Sequence, residues 1–132
     1  MKKDFLVIVR GGGDLATGCI HRLWSAGFKV LVLECAAPAA IRRQVSVCEA
    51  VYEGSNVFEG MTAVLINNVQ EADSVWQAGN VPVLVDKVGA CVEELKPDVV
   101  VDAIIAKKNL GTKIDMAPLT VALGPGFEAG VD

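Results

Sequence analysis

The amino-acid sequence predicts an α/β fold with a mainly parallel sheet and helices on both faces. Short apolar runs of strand type alternate with segments of helical periodicity along the chain. The strand candidates are rich in Val, Ile and Leu, as strands buried on both faces require. The chain has 132 residues, of which 52% are hydrophobic, and is therefore predicted to form a single domain over residues 1–132.

The first part of the chain is predicted to contain two strands that enclose a helix. Residues 5–9 and 29–34 form apolar runs of strand length, and residues 15–26 carry an apolar stripe of helical period that ends before a glycine. A short helix is predicted over residues 36–44. A hairpin or an irregular excursion is expected at residues 51–58, because two short apolar pairs flank a polar, glycine-containing stretch there.

The second part of the chain continues the alternation of strands and helices. The predicted elements are strands at 61–66, 81–86, 98–102 and 119–123 and helices at 70–78 and 90–96. Alternation of this kind implies right-handed crossovers between parallel strands.

The turn after the first strand contains the most specific motif. Gly11, Gly12 and Gly13, followed by Ala16, form a G-x-G-x-x-A pattern. The first glycine of such a pattern permits a tight turn, the second lets the backbone approach a pyrophosphate, and the alanine lets the helix pack closely on the sheet. The N–H groups at the start of the helix favour a phosphate. Glu34 lies at the end of the second strand, where an acidic residue bonds a ribose hydroxyl.

This context predicts a Rossmann-like three-layer fold that binds a nucleotide. Glu34 favours NAD, or a related nucleotide with a free ribose hydroxyl, over NADP. Arg42 and Arg43 could nevertheless reach back toward a 2′-phosphate. Asp14 follows the glycines and would repel a phosphate unless its carboxylate caps the helix.

Other polar residues are predicted at the same edge of the sheet, because ligands of open α/β sheets bind beyond the carboxyl ends of the strands. A lysine after the penultimate strand could bind an anionic substrate. The candidate substrate or anion contacts are Arg10, Asp86, Asp102, Lys107, Asn109 and Gly124.

Composition narrows the classes of partner. The net charge of −4 argues against nucleic acid as a partner. No apolar run approaches the roughly 20 residues that a membrane helix needs, and a cytoplasmic location is expected.

The four cysteines form no C-x-x-C pair and the chain has one histidine, so no metal site is predicted. Whether Cys35 or Cys48 is reactive stays open.

Several motifs, in order along the chain, carry a family resemblance. They lie at residues 9–18, 21–27, 42–43, 50–54, 81–86, 97–103, 106–112 and 123–127. Together they resemble the accessory proteins of the selenium-dependent molybdenum hydroxylase system, with kinship to the maturation factors of xanthine dehydrogenase. The resemblance covers essentially the whole chain. Because members of that family are longer, the chain is expected to be the N-terminal half of a longer protein.

The resemblance implies a nucleotide-binding accessory role in maturing these hydroxylases, through the molybdenum cofactor or selenium. It implies the hydroxylase as a partner and a molybdopterin-type cofactor as an alternative ligand to NAD, and it assigns no catalytic residue. Two alternatives remain open at this point: an NAD-dependent oxidoreductase, and a domain without ligand that acts through oligomer contacts. A homo-oligomer is compatible with each of these.

Overall fold

The computed structural model describes residues 5–12, 14–34, 47, 49–86, 95–103 and 119–122, and only the backbone at 14–15 and 119–122. A 3₁₀ turn over Val69–Glu71 precedes the third helix. The elements, in chain order, are β1 (Leu6–Arg10), α1 (Asp14–Ser25), β2 (Lys29–Glu34), α2 (Glu49–Glu53), β3 (Ser55–Phe58), β4 (Met61–Ile66), α3 (Ala72–Gln77), β5 (Val81–Val85), β6 (Val99–Asp102) and β7 (Leu119–Ala122).

The strands form one sheet in the order β3-β4-β5-β2-β1-β6-β7. All neighbours are parallel except β3 and β4, which pair antiparallel. The prediction of an α/β fold with a mainly parallel sheet is therefore confirmed. Strand β1 lies inside the sheet, between β2 and β6, and pairs parallel with both.

Each face of the sheet carries its own apolar cluster, because successive strand residues point to opposite faces. On one face, Val9 and Val32 belong to the same cluster as Ile20 of α1. On the other face, Ile8 and Leu31 pack with the residues of α3. The central strands are thus covered on both sides, which explains why they read as continuous apolar runs.

Helix α1 ends at the glycine that the sequence indicates. Gly27 has a φ of 96°, which a residue with a side chain rarely adopts. Its N–H donates to Trp24 O at 3.0 Å, and the N–H of Phe28 donates to Leu23 O at 3.2 Å. These bonds satisfy the last carbonyls of the helix and turn the chain directly into β2.

The hairpin expected at residues 51–58 is misplaced and needs correction. Residues 51–53 belong to α2, and Gly54 ends that helix, with its N–H donating to Ala50 O at 2.8 Å. The hairpin turn instead comprises Glu59 and Gly60, whose φ values are 46° and 83°. Positive φ at both central residues matches the right-handed twist of the two flanking strands.

The remaining predicted elements agree with the structure to within one or two residues where it describes them. The predicted helix over 36–44 and all but the end of the helix over 90–96 lie outside the described residues. Within the described part of the chain, no helix is both long and apolar enough to cross a membrane.

Candidate functional site

The carboxyl ends of four strands lie level at one edge of the sheet. Hydrogen bonds continue the strand pairing beyond the strand ends: Gly11 N–H donates to Leu33 O at 2.7 Å, and Ala103 N–H donates to Arg10 O at 2.8 Å. The chain leaves β1 for β2 on one side, whereas β6 lies on the other side. This reversal of strand order at β1 is where open α/β sheets form their ligand crevice.

The glycine turn lies at this point of reversal. Gly11 has a φ of 99°, so a side chain here would strain the backbone, as the sequence motif predicts for its first glycine. Gly12 N–H donates to Glu34 Oε2 at 2.7 Å. The structure therefore places the predicted phosphate turn and the predicted ribose-binding carboxylate in direct contact.

The contact with Gly12 holds the carboxylate of Glu34 beside the turn. A hydrogen bond to a charged acceptor is stronger than one between neutral groups. The side chain of Glu34 is partly exposed, so a ligand hydroxyl can reach it from solvent. Asp86 N–H donates to the backbone O of Glu34 at 2.9 Å, which places the end of β5 beside the end of β2.

Thr17, near the start of α1, stabilises the glycine turn through two hydrogen bonds of its side chain. Its Oγ1 donates to Gly12 O at 3.2 Å and accepts from Val47 N–H at 2.9 Å. The residue is buried. A hydroxyl with one donor and two lone pairs can make both bonds at once. Sequence reasoning missed Thr17, although a hydroxyl on an apolar helix stripe was a signal that could have indicated it.

Ala16 occupies the place that the motif requires. It is fully buried in the apolar cluster that β1 and β2 share with α1. A methyl group is the largest side chain that keeps the helix start this close to the strands. Close packing brings the first N–H groups of α1 to the carboxyl edge of the sheet.

Arg10 and Asp102 are register partners at the ends of the parallel strands β1 and β6. Both are only 1% exposed, and alternation places both side chains on the face of Ile8 and Val100. Opposite charges buried on neighbouring strands attract each other, and this attraction offsets part of the cost of removing them from water. They lie at the carboxyl edge of the sheet, and contact of either with a ligand stays a prediction.

Several carboxylates lie near the glycine turn in the described structure. Glu34, Asp86 and Asp102 lie at the strand ends, and the buried Glu49 begins α2 two residues after Val47. They outnumber the single cation of Arg10 in this part of the described structure.

The other candidate residues are not placed. Gly13, Lys107, Asn109 and Gly124 lie outside the described residues, as do Cys35, Cys48, Arg42 and Arg43. The side chain of Asp14 is likewise not described, so its capping role stays a prediction. Only Arg10, Asp86 and Asp102, among the candidate substrate or anion contacts, are brought to the crevice by described structure.

The contacts of His21 and the pKa of Cys19, both in α1, do not favour a catalytic role for either residue. His21 Nε2 lies 3.2 Å from Glu59 O, and its ring packs on Trp24 and Phe58 with centroids 5.6 Å away in each case. Burial raises the pKa of the Cys19 thiol above its usual value, which keeps the thiol protonated at neutral pH. Over the ranges the structure describes, no three His, Cys, Asp or Glu residues gather as a metal site.

Comparison with known proteins finds one extensive similarity. The chain is 51% identical over 127 residues to the uncharacterized protein YqeB of Escherichia coli (strain K12). The aligned part covers 96% of this chain but 24% of YqeB, so the chain spans about a quarter of the length of that relative. No protein-family model and no solved structure matches the chain.

Proposed function

We propose that this chain is a nucleotide-binding domain that holds NAD, or a related nucleotide with free ribose hydroxyls, at the carboxyl edge of its sheet. The observation that carries the proposal is the 2.7 Å contact between Gly12 N–H and the carboxylate of Glu34. Two groups that recognise different parts of a nucleotide are adjacent, at the point where the strand order reverses.

Each part of the site has a role in this proposal. The backbone of the turn from Gly11 onward approaches the pyrophosphate, and the start of α1 supplies N–H groups and the positive end of its dipole. Glu34 accepts a hydrogen bond from a ribose hydroxyl while the turn holds its carboxylate in place. Thr17 and Ala16 keep the turn and the helix in this geometry.

The carboxylate of Glu34 beside the turn favours NAD over NADP. A 2′-phosphate would lie beside the ribose, and hence beside Glu34, where the two negative charges repel each other. A molybdopterin-type nucleotide is an alternative ligand, which the family resemblance suggests.

We infer that the whole domain is a Rossmann-type three-layer fold. The support is the strand order around β1 and the apolar cluster on each face of the sheet. The expected cytoplasmic location and a homo-oligomeric state belong to the same proposal, and the oligomeric state can be measured by light scattering on the purified chain.

For the cellular role, we propose an accessory protein in the maturation of selenium-dependent molybdenum hydroxylases. The support is the resemblance of motifs along the chain, including those at residues 9–18, 97–103 and 106–112. Affinity capture with the purified hydroxylase tests this role without reference to a ligand. Retention of the hydroxylase supports the role, and its passage through the column contradicts it.

Isothermal titration calorimetry with NAD, NADP, ATP and a molybdopterin nucleotide tests the binding proposal. We expect NAD to bind, and Glu34→Gln to weaken it about tenfold, which corresponds to the loss of one hydrogen bond to a charged group. Glu53→Gln is the matched control, because this exposed carboxylate lies at the end of α2. Absence of binding by every nucleotide would overturn the proposal.

A further inference from the structure

An apolar side chain is exposed at the carboxyl edge of the sheet, next to the carboxylate of the proposed nucleotide site. Val85 is the last residue of β5 and is 43% exposed, whereas the four residues before it in that strand are buried. It is the register partner of Glu34, so the two residues lie side by side on neighbouring parallel strands. Ligand sites are lined largely by apolar side chains, which makes Val85 a candidate contact for an apolar part of the ligand.

Val85 and Glu34 lie on the same face of the sheet, which is the face that α1 covers. Val83 of β5 and Val32 of β2 belong to the apolar cluster that contains Ala16 of α1. Because side chains two residues apart along a strand share a face, Val85 and Glu34 lie on this face too. The exposed valine is therefore next to the carboxylate of Glu34, on the side of the sheet from which α1 begins.

Three features of the crevice follow one another across the strands in the order of the parts of a nucleotide. The glycine turn follows β1, Glu34 ends β2 and Val85 ends β5, and these three strands are consecutive neighbours in the sheet. A nucleotide likewise runs from phosphate to ribose to base. Because neighbouring strands lie about 4.8 Å apart, each step across the sheet is comparable to the spacing between a ribose and its base.

We propose that Val85 forms the apolar contact for the base of the bound nucleotide, so that the site selects a nucleotide with an intact base over a sugar phosphate. The inference rests on the proposed function, because the glycine turn and Glu34 determine where the phosphate and the ribose lie. The flat face of the base packs on the valine methyl groups and removes them from water, which stabilises the complex. A ligand with the same sugar and phosphate but no base lacks this contact.

Nuclear magnetic resonance of the Val85 methyl groups tests the contact directly. A base packed on this side chain shifts the methyl signals through the ring current of the base. We expect NAD to shift them saturably, whereas ribose 5-phosphate, which has no base, leaves them unchanged. The signals that disappear from the spectrum of Val85→Ile are those of Val85, which provides their assignment.

Substitution of Val85 measures what the contact contributes to affinity. In calorimetry, Val85→Ser should weaken NAD binding about fivefold because it removes apolar surface, whereas Val85→Ile should retain the affinity. Val57→Ser is the matched control. Val57 is also an exposed strand valine, but it lies on the edge strand β3, and its replacement should leave the affinity for NAD unchanged.

The outcomes distinguish this inference from the proposed function. If NAD binds and Glu34→Gln weakens it, but Val85→Ser binds NAD as tightly as the unchanged chain, the base contact is overturned and the proposed function is not. The same holds if NAD leaves the Val85 methyl signals in place, or if ribose 5-phosphate shifts them as NAD does. If NAD does not bind at all, both are overturned.

Discussion

Thr17 shows how a single hydroxyl connects the glycine turn to a distant segment of chain. Its bond to Gly12 O fixes the turn, and its bond from Val47 N–H fixes the chain before α2, 30 residues away. Neither bond follows from the G-x-G-x-x-A motif, whose spacing specifies only the backbone of the turn. The motif predicted the tight turn at Gly11 and the close packing of Ala16, because both depend on local geometry, whereas the contacts of Thr17 depend on tertiary packing.

Replacement of Thr17 by valine is expected to lower both stability and nucleotide affinity. The valine fills the same volume but leaves a buried carbonyl and a buried N–H without their hydroxyl partner, at a cost of about 1–3 kcal/mol in the free energy of unfolding. Thr17→Ser keeps the hydroxyl and should retain the affinity for NAD. Urea denaturation and calorimetric titration measure the two effects. If Thr17→Val and Thr17→Ser bind NAD with the same affinity, the positioning role of Thr17 is contradicted.

The pair Arg10 and Asp102 provides a second prediction at the residue scale. Arg10→Met removes the buried positive charge at the register partner of Asp102, and should lower the free energy of unfolding, because a buried carboxylate is costly when a neighbouring positive charge is lost. The double variant with Asp102→Leu should recover much of that loss. A double-mutant cycle in urea denaturation gives the coupling free energy. Additive single effects would show that the two side chains do not compensate each other.

Among the elements, the edge hairpin differs most from the sequence prediction. Gly54 resembles a hairpin turn in the sequence, but it ends α2, and the turn lies later at Glu59 and Gly60. A helix that ends in glycine and a turn that contains glycine share the same local signal. Only the pairing of β3 with β4 distinguishes them, and that pairing depends on contacts across the sheet. The strands of the βαβ unit, in contrast, were predictable from their apolar runs.

Two glycine substitutions test this account of the elements, because we expect one to lower and the other to raise the free energy of unfolding. Gly60→Ala places a side chain at a φ of 83° and should lower the free energy of unfolding by about 1 kcal/mol. Gly18→Ala, inside α1, meets nothing within 4 Å and should raise it by about 0.5–1 kcal/mol. Thermal denaturation of both variants checks the signs. Stabilisation by Gly60→Ala would show that the hairpin turn is wrongly assigned.

At the scale of the whole molecule, the two edges of the sheet carry residues of different chemistry. The carboxyl edge combines a glycine turn with carboxylates, and the amino edge combines indoles with a lysine. The sequence predicts a nucleotide site at the carboxyl edge, because its motif lies within one βαβ unit. A cavity at the amino edge is lined by the ends of α1 and α3, which lie some fifty residues apart in sequence. No pattern of local spacing indicates such a cavity.

The affinity ratio between NAD and NADP, measured by calorimetry on the chain and on Glu34→Gln, tests the central claim most directly. The account predicts that the chain binds NAD at least about tenfold more tightly than NADP, and that Glu34→Gln brings the ratio close to one, because the repulsion of the 2′-phosphate is removed. A chain that binds neither nucleotide, or a ratio that Glu34→Gln leaves unchanged, would contradict it.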